Sequence, residues 1–148
     1  MPNYKSNSMK IFCKYIIPIL LLLAAISCDK TTVGYLFADN LTYTPDSIVV
    51  KAVLDPVEDE EQIDKEIPWQ SVALEGVQGT SPINYAIENV VTPDGDPASV
   101  FQFQMVRKGV IELPWNHTVP PGRYVISIRV SNERRSVVKD SVYTVIVK

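Results

Sequence analysis

The chain has 148 residues, with 14 basic and 17 acidic side chains, one histidine and two cysteines. Its apolar fraction of 46% is that of a globular protein rather than a disordered one, and its length fits one domain with a hydrophobic core. An acidic balance without a basic stripe argues against a nucleic-acid partner. One histidine and two cysteines are too few for a typical zinc site.

An apolar run near the N-terminus, residues 11–28, reads IFCKYIIPILLLLAAISC and follows Lys10. Its core, residues 16–26, is interrupted only by Pro18. At roughly 11 residues this core is shorter than the ~20 that cross a bilayer as a helix. We therefore predict a secretory signal over residues 1–27, with Met9 as a candidate for the true start. An uncleaved membrane anchor is the alternative.

The end of this run, Ala24-Ala25-Ile26-Ser27-Cys28, resembles the lipobox of bacterial lipoproteins, and Cys28-Asp29 is similar to the start of Bacteroidota-type lipoproteins. Ala25 stands where that family prefers leucine. The resemblance implies cleavage before Cys28, acylation of its thiol by palmitate or a related chain, and a partner in membrane lipid. It places the protein in the cell envelope, at the outer membrane, with residues 28–32 as a short tether. The alternative is a plain signal peptide followed by an unmodified Cys28.

Cleavage before Cys28 would change the net charge of the chain and the number of its cysteines. Residues 28–148 would carry 11 basic and 17 acidic side chains, a net charge of −6, because three lysines leave with the signal. Cys13 leaves as well, so Cys28 is the remaining cysteine and no disulfide can form within the chain.

Residues 33–148 alternate between short β-prone segments and turns, and no amphipathic helix is apparent after Cys28. Strands are predicted over residues 33–38, 41–44, 47–55, 67–74, 83–92, 98–106, 110–113, 123–130 and 136–148. Turns recur at the spacing typical of all-β domains, so we predict a single antiparallel β-sandwich of about seven strands.

Three of these segments carry more detail. The residues Tyr124, Ile126, Ile128 and Val130 share one face of their strand, which predicts a buried side and a mostly solvated side. Lys108-Gly109 predicts a tight hairpin turn after strand 98–106. Within that strand, Phe101 and Phe103 are predicted to share a face. The last strand is predicted to kink near Asp140.

The C-terminal half is similar to cadherin-like and immunoglobulin-like domains of bacterial surface proteins. The similarity rests on INYAI, FQF, KGVI, PGRYVISIRV and YTVIV in that order, in residues 83–147. It implies a Greek-key topology. Cadherins bind calcium through acidic motifs at positions where this chain has Leu113-Pro114-Trp115-Asn116 and Val130-Ser131-Asn132. Because both carboxylates are missing, calcium binding is not carried over. The acidic run 56–66 is interpreted as a solvated loop or one helical turn, with a hard-cation site as the alternative.

The candidate site residues are aromatic and polar. Trp69 and Trp115 are possible platforms for the apolar faces of sugars, with Asn116 or His117 hydrogen-bonding the hydroxyls; the alternative is that the tryptophans belong to the core. Ser47 and Ser141 lie in Asp-Ser-apolar stretches that resemble O-glycosylation sites of Bacteroidota lipoproteins. No nucleophile elbow is present, and no catalytic residue, metal site or cofactor is predicted.

These observations favour a non-catalytic envelope lipoprotein. We predict a binding or scaffolding module of a surface glycan-uptake or adhesion system, with a glycan or another envelope protein as its partner. The alternative is a purely structural subunit without a small ligand. An enzyme would require a cleft that combines His117 with a serine and a carboxylate. A solvent-facing aromatic strip would favour sugar, whereas buried tryptophans and an open edge strand would favour a protein partner.

Overall fold

The computed structural model describes residues 34–148, which form one unit. The predicted signal 1–27, the acylated Cys28 and the tether 28–32 lie outside the described residues. Within the described part of the chain, no helix is both long enough and apolar enough to cross a membrane.

The predicted all-β class is confirmed, since nine strands make up most of the regular structure. In chain order they are β1 (Leu36–Phe37), β2 (Ser47–Val50), β3 (Trp69–Gln70), β4 (Gln78–Gly79), β5 (Asn84–Val91), β6 (Gln104–Val106), β7 (Val110–Leu113), β8 (Gly122–Ser131) and β9 (Ser136–Val147). A short helix α1 spans Glu60–Asp64, and two 3-10 helices span Pro97–Gln102 and Arg107–Gly109.

The strands form three sheets. The largest has the order β2-β9-β8-β5, the second has the order β3-β7-β6, and β1 pairs with β4. All pairs are antiparallel except β2 with β9, which run parallel from Ser47↔Thr144 to Val50↔Val147. The prediction of an antiparallel sheet was wrong for this pair. Strands β3 to β8 lie between β2 and β9 in the chain, and parallel neighbours require a long connection of this kind.

The core lies on the inner face of β8, as the alternation predicts. Tyr124, Ile126, Ile128 and Val130 are fully buried. They join a single cluster with residues of other elements, among them Val50, Phe103, Ile111, Leu113, Val119, Tyr143, Val145 and Val147. Burial of so many large apolar side chains supplies the main driving force for this fold.

The predicted kink in the last strand is confirmed as a β-bulge. The register between β8 and β9 shifts from Ile126↔Tyr143 to Ile128↔Lys139. Ser141 adopts a left-handed backbone conformation there, with φ of 54°. Its N–H donates to the Ser127 hydroxyl at 3.1 Å. An extra segment of chain in one strand is what bends a sheet at such a point.

The predicted hairpin at Lys108-Gly109 is also confirmed. Val106 pairs with Val110 across the turn, and both Lys108 (φ 60°) and Gly109 (φ 70°) are left-handed. Glycine is required at position 109 for a second reason: a Cβ there would stand 2.7 Å from the Cβ of Leu74. The turn therefore lies directly against the neighbouring loop.

The strand predicted over residues 98–106 was wrong in its first half. Pro97–Gln102 form a 3-10 helix, and only Gln104–Val106 are extended. Asp96 caps this helix by accepting a hydrogen bond from the Ala98 N–H at 2.8 Å, and Pro97 suits the first helical turn. Phe101 is consequently 78% exposed while Phe103 is buried. A local cap thus prevails over the alternation of apolar residues.

Candidate functional site

The loop between β7 and β8, residues 114–121, carries three of the predicted site residues. His117 is buried, and both of its ring nitrogens have partners within the chain. Nδ1 accepts a hydrogen bond from the Val119 N–H at 3.2 Å, so Nε2 carries the proton and donates to the Lys51 carbonyl at 3.1 Å. The ring therefore ties this loop to the segment that follows β2. A contact of His117 with a ligand would require one of these bonds to break.

Burial lowers the pKa of His117 below its usual value, because a charged imidazolium is poorly solvated there. The folded protein therefore protonates the ring at a lower pH than the unfolded chain does, whose imidazole has a pKa near 6.5. We therefore expect the free energy of unfolding to fall as the pH drops from about 7 to 5. Thermal unfolding midpoints measured across this range would show the trend.

The matched variant for this prediction is His117→Gln, which removes the titrating group. Its unfolding midpoint should depend less on pH between 7 and 5 than that of the wild type. The pKa values of Asp55, Asp59, Glu88 and Asp94 are lowered, so these groups titrate below the window. Equal slopes for wild type and variant would contradict the neutral, buried assignment of His117.

The two tryptophans and Asn116 occupy different environments. Trp69 lies in β3, half-buried against the core, and its Nε1 is buried without a hydrogen-bond partner among residues 34–148. Trp115 is half-buried in the loop, and Asn116 beside it is exposed. Neither tryptophan is therefore a fully exposed ring.

Trp69 lines a surface groove, which we call the acidic groove. Its volume is about 440 Å³. Its apolar lining comes from Ile48, Ile67, Pro68 and Trp69, and its acidic lining from Glu58, Asp59 and Glu61. Trp115 is not part of this lining.

The carboxylates of the acidic run 56–66 are used partly for structure. The Lys51 ammonium donates to both oxygens of Asp59, at 2.8 and 2.7 Å, and Asp59 also accepts the N–H of Asp55 at 2.8 Å. The ammonium and this N–H hold the pKa of Asp59 below its usual value. In the described part of the chain, no group of three or more His, Cys, Asp or Glu side chains is arranged to hold a metal ion.

Sequence reasoning missed the second groove, which we call the basic groove. It lies between β5 and β6 and has a volume of about 580 Å³. Its charged lining consists of Arg107 and Lys108, both exposed at the tip of the hairpin. The sequence does show the basic pair Arg107-Lys108 at the hairpin turn. It does not show that β5 lies opposite that turn, because this placement depends on the tertiary structure.

The two predicted glycosylation serines lie on the four-stranded sheet. Ser47 is the first residue of β2 and is half-buried, while Ser141 is exposed at the bulge of β9. The hydroxyl of Ser141 is thus the more accessible of the two.

The chain matches no protein-family model, no curated protein and no solved structure.

Proposed function

We propose that this protein is a non-catalytic lipoprotein of the cell envelope, anchored at the outer membrane through acylated Cys28. Residues 34–148 would serve as a binding or scaffolding module that contacts another envelope protein. The observation that carries the binding role is the open edge of β5. This strand is eight residues long and pairs only with β8 among the described residues. Exposed strand edges are templates for pairing with another chain.

The site geometry favours a protein partner over a sugar. Trp69 is packed against the core and both nitrogens of His117 are already bonded, so two of the four predicted sugar contacts have structural roles. Trp115 and Asn116 remain as the basis of the glycan alternative.

We further propose an immunoglobulin- or cadherin-like Greek-key sandwich as the fold. The orders β3-β7-β6 and β9-β8-β5 correspond to the B-E-D and G-F-C orders of that architecture. Tyr124 adds support. It lies near the start of β8, and its hydroxyl donates to the Pro120 carbonyl, four residues upstream, at 2.9 Å. This arrangement resembles the tyrosine corner near the start of strand F in immunoglobulin-like domains.

The point where the chain enters the domain is consistent with an anchor at Cys28. Tyr35 accepts a hydrogen bond at its carbonyl from the Asn132 side chain, at 2.9 Å. The chain therefore enters beside the β8–β9 turn, where Arg134 and Arg135 are exposed. Gly34 is six positions after Cys28, which spans at most about 20 Å. An anchor at Cys28 would hold this end of the domain near the membrane.

The test of the anchor is a Cys28→Ala substitution in the full chain. We expect the native protein to begin at Cys28, to carry added acyl mass and to fractionate with membranes. Stable anchoring requires two or more acyl chains on Cys28, because a single chain binds a membrane only marginally. The variant should lose both the acyl mass and the membrane fraction, as measured by intact mass and fractionation.

Cys13→Ala is the matched control, because it removes the other cysteine and leaves Cys28 in place. It should behave as the native protein does. A mature chain with an unmodified Cys28, or one that retains residues 9–27, would overturn the proposed anchor.

A further inference from the structure

The basic groove combines two kinds of lining, one apolar and one positively charged. Its apolar lining comes from Ile83, Tyr85, Met105 and Val106, and its charged lining from Arg107 and Lys108 alone. Both basic side chains are exposed, and neither forms an ion pair within residues 34–148. The groove thus combines an apolar floor with uncompensated positive charge, in a chain whose net charge is negative.

Both walls of the groove are edge strands. β5 is the outer strand of the four-stranded sheet, and β6 is the outer strand of the three-stranded sheet. The main chain of Asn84–Val91 makes hydrogen bonds to β8 and to no other described residue. Every second residue of such a strand presents its N–H and C=O away from its partner. The outer side of β5 therefore offers unpaired main-chain groups.

A bulge restricts this open edge to its first half. The register of β5 against β8 shifts between Ile87 and Asn89. At that point Glu88 forms a two-pronged ion pair with Arg129, with 2.6 Å between Arg129 Nε and Glu88 Oε2. Bulges and charges are devices that protect sheet edges from pairing. The regular stretch that remains, residues 84–87, is the one beside the groove.

We propose that the basic groove binds an extended segment of a partner protein, which adds as a strand to the first half of β5. The segment would carry apolar side chains at alternate positions, which would pack against Tyr85 and Met105. It would also carry a carboxylate that pairs with Arg107 and Lys108. The charge of the lining selects an acidic segment, since opposite charges across an interface fix partner and register. The identity of the partner as an envelope protein rests on the proposed function.

The groove lies at the end of the domain where the chain from Cys28 enters. Asn84 pairs with Ser131, which directly precedes the turn that bonds Tyr35. An anchor at Cys28, as proposed above, would hold the groove close to the membrane. An envelope protein with an acidic extended segment near the bilayer would then be within its reach.

The test uses the full-length protein in native membranes, with a photo-crosslinking residue in place of Asn84, which lines the groove. A second version carries the crosslinker in place of Val138, which is exposed on β9 inside the sheet. We expect the Asn84 version to capture one protein, at a segment that contains Asp or Glu when the crosslinked peptide is sequenced. The Val138 version should not capture that segment.

The charge requirement is tested by Arg107→Glu with Lys108→Glu, which should lower the Asn84 crosslink at least tenfold. Lys65→Glu with Lys148→Glu changes the total charge equally at two exposed positions away from the groove and should lower it less than twofold. Circular dichroism checks that both variants fold, and a pair of glutamine substitutions at 107 and 108 should give an intermediate loss.

The outcomes separate the two proposals. Capture that is insensitive to the charge at 107 and 108, capture of a segment without carboxylates, crosslinks to lipid or glycan only, or no crosslink at all would overturn the groove proposal. Acyl mass and membrane fractionation measured on the same sample report on the anchor. A soluble, unacylated chain that still captures an acidic segment would overturn the anchor and leave the groove proposal standing.

Discussion

Replacing Tyr124 with alanine is expected to lower the free energy of unfolding by about 3–5 kcal/mol, the range for removal of a large aromatic ring from a core. The side chain is fully buried, and its ring centroid lies 5.3 Å from that of Phe103. Truncation would leave a cavity between β8 and the segment before β6. Equilibrium unfolding in urea, on residues 28–148, measures the loss.

A Tyr124→Phe substitution separates the ring from its hydroxyl. The hydroxyl donates to the Pro120 carbonyl at 2.9 Å and accepts the Asp96 N–H at 3.2 Å, so it joins two loops to β8. Phenylalanine keeps the packing but leaves both main-chain groups without this partner. A loss of about 1–3 kcal/mol is expected, the cost of unsatisfied buried polar groups.

The control for both variants is Tyr35, which is 55% exposed. Tyr35→Ala should change the free energy of unfolding by no more than about 0.5 kcal/mol, as is usual for exposed positions. If Tyr124→Phe were as mild as this control, the hydroxyl would have no part in holding the two loops, and the tyrosine corner would lose its support.

The elements that the sequence predicted well are those specified by local patterns. The buried face of β8 follows from strict alternation over Tyr124 to Val130, and the hairpin follows from the Lys108-Gly109 turn. The bulge at Ser141 was signalled by polar residues that interrupt an apolar strand. In each case the residues that carry the pattern are neighbours in the chain, so no knowledge of the tertiary structure was needed.

The elements that the sequence did not predict depend on distant partners or on competition between local signals. The parallel pairing of β2 with β9 joins residues about a hundred positions apart, and no alternation within either strand specifies direction. At residues 97–102 two local signals compete, and the Asp96 cap prevails over the period-2 pattern.

The candidate site also depends on long-range contacts that local sequence patterns do not reveal. His117 was selected because it lies beside Trp115 in the same loop, but its partner is the Lys51 carbonyl, 66 residues away, and this contact gives it a structural role. The basic groove brings Ile83–Tyr85 together with Met105–Lys108. Its two walls belong to different sheets, and their approach depends on how those sheets pack.

Gly76 is the position where a single methyl group should be least tolerated. Its φ of 78° lies in the left-handed region, and a Cβ at this site would stand 1.9 Å from the carbonyl oxygen of Asn40. The preceding residue, Glu75, exchanges main-chain hydrogen bonds with Thr42 at 3.2 and 3.0 Å. Gly76→Ala is therefore expected to lower the free energy of unfolding by at least about 3 kcal/mol, through backbone strain and overpacking together.

Two further substitutions, measured by urea unfolding, provide a control and separate backbone strain from overpacking. Gly34→Ala is the control, because its Cβ would meet only the side chain of Arg134, at 3.6 Å, and its effect should be within about 0.5 kcal/mol. Gly76→Asn tolerates the left-handed conformation but still carries a Cβ. Because the obstacle is a main-chain carbonyl rather than a flexible side chain, asparagine should be nearly as destabilising as alanine. Full rescue by asparagine would mean that the segments at Asn40 and Gly76 do not approach this closely, and that backbone conformation alone requires the glycine.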